Sequence, residues 1–134
     1  IVVGRLTTAK KLHLLLEAVA ALPCEARPSI KLIGVGEEEQ RLRETSKDLN
    51  LDVEFPGEIH DVEDLEHHYQ SARITVIPGA AGLSVIQSLE YGVPVIAHSD
   101  LNRQMPEVEA IRQDWTGELV PYEDVNALGR AVER

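Results

Sequence analysis

Basic charge is scarce in this chain. Thirteen Lys and Arg stand against 23 Asp and Glu, a formal net charge of −10 over 134 residues. A polyanionic backbone is held by a basic face, so nucleic acid is excluded as the principal partner. One small anion is not excluded, because charges more than about 8 Å away are largely screened and local cations decide. There is one cysteine, Cys24. An internal disulfide and a thiolate zinc site are thereby ruled out, and no base is spaced to activate the thiol. The five histidines show no paired ligand spacing, and the adjacent His67 and His68 point to different sides of any helix. No metal or other cofactor is expected. No apolar run nears the roughly 20 residues that span a bilayer. The chain opens at Ile1 inside an apolar run and without Met, so it reads as an excerpt of a larger protein. A cytoplasmic location is the expectation.

What is present is the composition of one ordinary globular domain, 43% hydrophobic and 27% charged. Short β-type runs alternate with amphipathic stretches throughout. Strands are expected at Ile1–Gly4, Ile30–Ile33, Val53–Phe55, Ile74–Ile77, Val93–Ala97 and Glu118–Val120. Helices are expected at Ala9–Leu22, Glu37–Leu49, Val62–Ser71, Gly82–Tyr91 and Asp124–Glu133, with a short one at Pro106–Arg112. Six βα repeats imply an α/β fold: a doubly wound, Rossmann-like parallel sheet of about six strands, helices on both faces, as a single domain over residues 1–134.

Glycines follow the expected strands: Gly4, Gly34 with Gly36, Gly57, and Gly79 with Gly82. In an open parallel sheet these positions share the carboxyl edge, where ligands bind. Glycine is also what βα turns need structurally, so the differences between the loops discriminate. "IGVGEEEQ" places Glu37, Glu38 and Glu39 at a helix start, where carboxylates favour the dipole and repel phosphate. "PGAAGLSVIQS" has no acid in the turns after Gly82. The amides of Gly82, Leu83 and Ser84 and the Ser84 hydroxyl suit an anion; the plain alternative is a packed helix start capped by Ser84. Arg5 and Lys10 follow the first strand, which neighbours the fourth in the usual order, so they could face that loop. Otherwise they are solvated loop charges. His98 and Asp100 at the fifth strand's end read first as a turn. Trp115 reads as a packing anchor for the last strand.

These residues resemble the C-terminal domain of retaining glycosyltransferases of family 4, which have the GT-B fold. The resemblance runs in order through "VGRLTTAKKLHLLLEAV", "IKLIGVGEEEQRL", "FPGEIHDVEDLEHHYQSARITVIPG", "GLSVIQSLEYGVPVIA" and "MPEVEAIRQDWTGELV". It implies a nucleoside-diphosphate sugar donor, with Arg5, Lys10 and the Gly82–Leu83 backbone on the diphosphate and Ser84 beside it. Gly36, backbone groups near Glu58 and Ile59, and Gln87 would serve the nucleotide and ribose. Gly79, Ala80, Ala81 and Glu107 would lie on the sugar side, though Glu107 reads equally as a helix-start carboxylate. The family is metal-independent, so the cations stabilise the departing diphosphate. An acceptor domain would precede Ile1, and through it the full-length protein could sit at the inner face of a membrane; the fragment alone would bind donor without transferring sugar.

Three positions depart from that family. Its E-x7-E pair falls here on Gly79 and Gln87, and Lys11 stands where glycine is common. Gln87 keeps an acceptor for ribose and adds two donors; its structural reading is a buried polar residue bonded to backbone. Gly79 leaves the sugar-side role without a side chain. Two alternatives therefore stay open: a nucleotide-sugar epimerase-like enzyme, and a non-catalytic nucleotide-binding or interaction domain.

Overall fold

A computed structural model describes all of residues 1–134. Six short strands alternate with five helices: β1 Val2–Val3, α1 Leu12–Ala20, β2 Ile30–Ile33, α2 Glu39–Asp48, β3 Val53–Gly57, α3 Val62–Gln70, β4 Thr75–Ile77, α4 Ser84–Glu90, β5 Val95–His98, β6 Gly117–Val120 and α5 Val125–Glu133. Single turns of 3-10 helix add Thr8–Lys10, Cys24–Ala26, Leu101–Arg103 and Pro106–Ala110.

All pairings are parallel, in two three-stranded groups ordered β1-β2-β3 and β4-β5-β6. The groups meet at β1 and β4, where the Ile1 amine donates to the Ile74 carbonyl at 2.8 Å and the Val76 amide donates to the Ile1 carbonyl at 3.3 Å. The order across the molecule is thus 3-2-1-4-5-6, with its reversal between β1 and β4. Neighbouring residues of β4 and β5 point to opposite sides. Val76 and Ile96 join the core under α1 and α5, whereas Ile77, Val95 and Ala97 join Val85 of α4 and Val108 and Ile111 of the segment after it. Sixteen buried residues form the first core and seven the second, so the sheet is covered on both faces.

The expected helix over Ala9–Leu22 is broken. Thr8–Lys10 is a 3-10 turn, Lys11 is left-handed at φ 49°, and α1 starts only at Leu12. The carbonyls of Ala9 and Lys10, which a continuous helix would use internally, instead accept from the amides of Ala80 at 3.0 Å and Gly79 at 2.9 Å. Lys11 takes the backbone conformation that glycine adopts most readily, which accounts for the glycine common there in the family it resembles. The fourth helix begins at Ser84, two residues later than expected. Trp115 is 75% exposed, with the Arg112 guanidinium over its ring, so it does not anchor β6. The β6 position comes instead from Gly117, where an added Cβ would collide with the backbone of Val95.

Candidate functional site

At the reversal point the ends of β1 and β4 open onto a cleft of about 300 Å³ lined by Val3, Gly4, Lys10, Gly82, Leu83, Ser84 and Gln87. A second hollow of about 180 Å³ shares Val3 and Gly4 with it and continues over Arg5, Ile33, Gly34, Val35, Glu58, Ile59 and His60. Together they follow the carboxyl edge of β4, β1, β2 and β3.

The loop from Pro78 to Leu83 carries the first part. Three of its consecutive amides are used internally: Gly79 donates to Lys10 O, Ala80 to Ala9 O, and Ala81 to Oε1 of Gln104 at 3.1 Å. The next three amides, of Gly82, Leu83 and Ser84, donate to nothing in the protein. The first turn of α4 holds no acid and no side-chain cap. In contrast, α3 and α5 are capped by Asp61 and Asp124, each accepting an amide at 2.8 Å. Ser84 is therefore not a cap; its Oγ is buried without a hydrogen-bond partner. Buried polar groups are rarely left so, and an orphan of this kind needs a partner. Below the loop α4 is anchored to β4, since Ser88 Oγ meets Thr75 Oγ1 at 2.7 Å and donates to Val93 O at 2.8 Å, with Ser88 and Thr75 both fully buried.

Lys10 is half-buried against Gly4, its Nζ 3.5 Å from where a Cβ of Gly4 would stand. Burial lowers its pKa from the ordinary 10.5, because an ammonium is disfavoured away from water. Neither Lys10 nor Arg5 is in an ion pair with a carboxylate. A desolvated cation and three free amides thus line one space, with the unpartnered Ser84 hydroxyl buried beside them, which suits a multiply charged anion. Arg5 lies in the adjoining hollow and is exposed, so it meets Gly82 less directly than expected. It stands near Glu37, whose carboxylate accepts from Thr8 N at 3.2 Å. Hydrogen bonds from its own amide and that of Thr8, and then the charge of Arg5, hold Glu37 below the usual carboxylate range.

Gln87 lines the cleft with its Oε1 accepting from the Tyr69 hydroxyl at 3.3 Å. Tyr69 is fully buried and its ring stacks on Tyr91 at 4.8 Å. Glu58 and Ile59 line the hollow beside Arg5, with Glu58 facing His60 at 3.4 Å. Several other expected residues do not line either space. Gly36 is pressed onto the backbone of Leu6. Ala80 and Ala81 serve the loop's internal bonds. Glu107 is half-buried off the cleft, with Oε2 lacking a partner. Gly79 is filled rather than vacant: an added Cβ would collide with the Ala9 carbonyl and stand 2.6 Å from the carbonyl carbon of Lys10. His98 ends β5 as a buried turn residue whose Nδ1 accepts from Asp100 N at 3.2 Å. The bonds of Gln104 to the loop and of the Tyr69 hydroxyl to Gln87 are contacts that the sequence pattern does not reveal. Tyr69 is legible only as an inward helix position, and nothing in "LNRQMPE" marks Gln104.

A separate cavity of about 310 Å³ lies at the opposite edge, lined by Ile1, Leu15, Ile30, Ile74 and Val132 among others. It sits at the amino ends of β1 and β2, away from the glycine loops, where parallel sheets seldom hold ligands.

The doubly wound sheet with its reversal between β1 and β4 is the Rossmann-like architecture of GT-B glycosyltransferases. The catalytic domain of cholesterol-α-glucosyltransferase from Helicobacter pylori superposes with a TM-score of 0.81 at 16% identity, covering 98% of this chain and 80% of that one. Anabaena Alr3699/HepE, in a complex with UDP, gives 0.79 at 20% identity over 98% of this chain and 36% of its own. The whole chain, residues 1–134, matches the family Glycosyl transferases group 1, and it belongs to that family. A curated relative is the GDP-mannose-dependent alpha-(1-6)-phosphatidylinositol dimannoside mannosyltransferase of Mycobacterium tuberculosis, 32% identical over 96 residues. That match covers 69% of this chain and 25% of the relative's length. No helix here is long and apolar enough to cross a membrane.

Proposed function

We propose that this domain holds the nucleoside-diphosphate sugar of a retaining glycosyltransferase of family 4, whose acceptor is bound by another part of the full-length protein. The observation that carries the reading is the unpaired, half-buried Lys10 ammonium beside the free amides of Gly82, Leu83 and Ser84 in one cleft. The diphosphate occupies that cleft, and the nucleoside extends into the hollow of Arg5, Glu58 and Ile59. When the bond from the sugar's anomeric carbon to the diphosphate breaks, negative charge gathers on the departing oxygen. Fixed N–H dipoles and a desolvated ammonium stabilise that charge more than they stabilise the intact donor, which is what lowers the barrier. Gly79 has no room for a side chain, so any group that meets the transferred sugar comes from elsewhere.

The test is calorimetric titration with UDP and GDP of the wild type, Lys10→Met and Arg5→Ala. Each substitution is expected to weaken diphosphate binding by about 1–3 kcal/mol, the value of a lost charged hydrogen bond. Unchanged affinity in both variants overturns the site assignment.

A further inference from the structure

Gln104 lies in neither the cleft nor the hollow, yet it governs the backbone that faces the cleft. It follows the 3-10 turn Leu101–Arg103, whose start is set by Asp100 accepting from Asn102 N at 3.1 Å. From there its side chain reaches back across the ends of two strands. Nε2 donates to the carbonyl of His98, the last residue of β5, at 3.1 Å; Oε1 accepts from the amide of Ala81 at 3.1 Å. The orientation of the carboxamide is not interchangeable, because an N–H needs an acceptor and a carbonyl needs a donor. Ala81 is fully buried, so its amide has no recourse to water if Gln104 is removed.

Ala81 packs into the second core, but by hydrogen bonds the loop is otherwise held from one side only. Gly79 and Ala80 bond to the turn after β1. Ala81 is the last amide before the free ones, and its sole partner comes from the opposite direction, from beyond β5. Pinning Ala81 fixes the peptide that leads into Gly82, Leu83 and Ser84, whose N–H groups have no acceptor in the protein and whose residues line the cleft. We propose that Gln104 is a positioning residue for the diphosphate: it clamps Ala81 to the end of β5 and thereby aims the three free amides. This rests on the donor-site reading above.

The experiment compares Gln104→Met, of similar length and without hydrogen bonds, with Gln104→Glu and with Lys10→Met as the control for the site. UDP and UMP, and in parallel GDP and GMP, are titrated calorimetrically at a temperature where circular dichroism shows every variant folded. Gln104→Met is expected to lose about 5–20-fold in diphosphate affinity, the size of one or two hydrogen bonds, with the monophosphate changed less than about twofold. In Gln104→Glu a protonated carboxyl restores both bonds, its O–H donating and its carbonyl accepting, whereas the ionised form can only accept. The deficit of that variant relative to wild type is therefore expected to be large near about pH 7 and to shrink as the pH falls to about 4, through the glutamate range. Amide exchange on the wild type supplies a readout independent of any variant. Ala81 is expected to be protected without nucleotide, and Gly82, Leu83 and Ser84 only once the diphosphate is added.

Melting temperature reduced with the ratio of diphosphate to monophosphate affinity unchanged would make Gln104 merely structural and overturn the proposal. A free, fast-exchanging Ala81 amide would do the same. If Lys10→Met loses affinity while Gln104→Met does not, the clamp alone fails. If neither does, or if the wild type binds no diphosphate, the donor site itself fails and the clamp with it.

Discussion

The hydroxyl of Tyr69 donates to Oε1 of Gln87 at 3.3 Å. Burial pushes that hydroxyl's pKa up, so it stays protonated and can only be satisfied by an acceptor. The carboxamide is therefore held with one lone pair of its oxygen engaged and its NH2 free. The sequence suggests that Gln87 keeps an acceptor and adds two donors; in the fold Tyr69 takes one lone pair of that acceptor and leaves both donors unused.

Removing either partner is expected to expose this coupling. Gln87→Ala strands a buried phenol and costs about 1–3 kcal/mol of stability, whereas Tyr69→Phe costs about 0.5–1.5 kcal/mol. In urea unfolding, the double variant Tyr69→Phe/Gln87→Ala is expected to be less destabilised than the sum of the two singles. Strict additivity would show the contact to be idle.

Two glycines three residues apart are expected to respond in opposite ways. Gly79→Ala drives a methyl into the backbone of Ala9 and Lys10 and should cost at least about 1–3 kcal/mol of stability, as overpacking does. Gly82→Ala meets nothing nearer than Met105 Cγ at 3.9 Å, so the melting temperature should hold. Its methyl would stand in the cleft proposed for the diphosphate, and UDP or GDP affinity should fall about tenfold or more, the loss of one strong contact.

Lys10 should make the unliganded protein more stable as alkali is added. Its folded pKa lies below the unfolded 10.5, so the folded state releases its proton first, and stability rises with pH between those two values. Lys10→Met is expected to abolish that rise in denaturation curves collected across the window, and to stabilise the unliganded domain at neutral pH while weakening diphosphate binding.

His98 should act at the other end of the scale. Burial, the largest cause, lowers its pKa from 6.5, and Nδ1 already accepts from Asp100 N. As pH falls from 6.5 toward the folded value, the unfolded state takes up a proton that the folded state refuses, and stability declines until both are protonated. His98→Gln does not titrate and should flatten this slope in thermal melts collected as the pH is lowered from about 6.5, the ordinary imidazole value.

Much of the architecture is legible because periodicity is local. Ile30–Ile33 stands where its apolar run places it, and α3 follows its pattern to within a residue. Where expectation and fold part, a distant partner has intervened. The helix expected from Ala9 is cut because its carbonyls turn to Gly79 and Ala80, some 70 residues away in the chain. Trp115 reads in the sequence as a packing anchor for the last strand, yet the chain packs β6 through Gly117 and leaves the indole outside.

The amino-acid sequence by itself determined the alternation of strands and helices, the glycine loops on one sheet edge, and an acid-free turn ahead of α4, since each is written in neighbouring residues. Only the tertiary structure decided which amides stay free, why Gly79 tolerates no side chain, which end of Gln87 Tyr69 holds, and that Arg5 and Lys10 occupy adjoining spaces. Those outcomes depend on hydrogen-bond partners such as Gln104, 23 residues beyond Ala81, and Tyr69, 18 before Gln87. Such pairs are chosen by how the sheet stacks its strands, which no local pattern records.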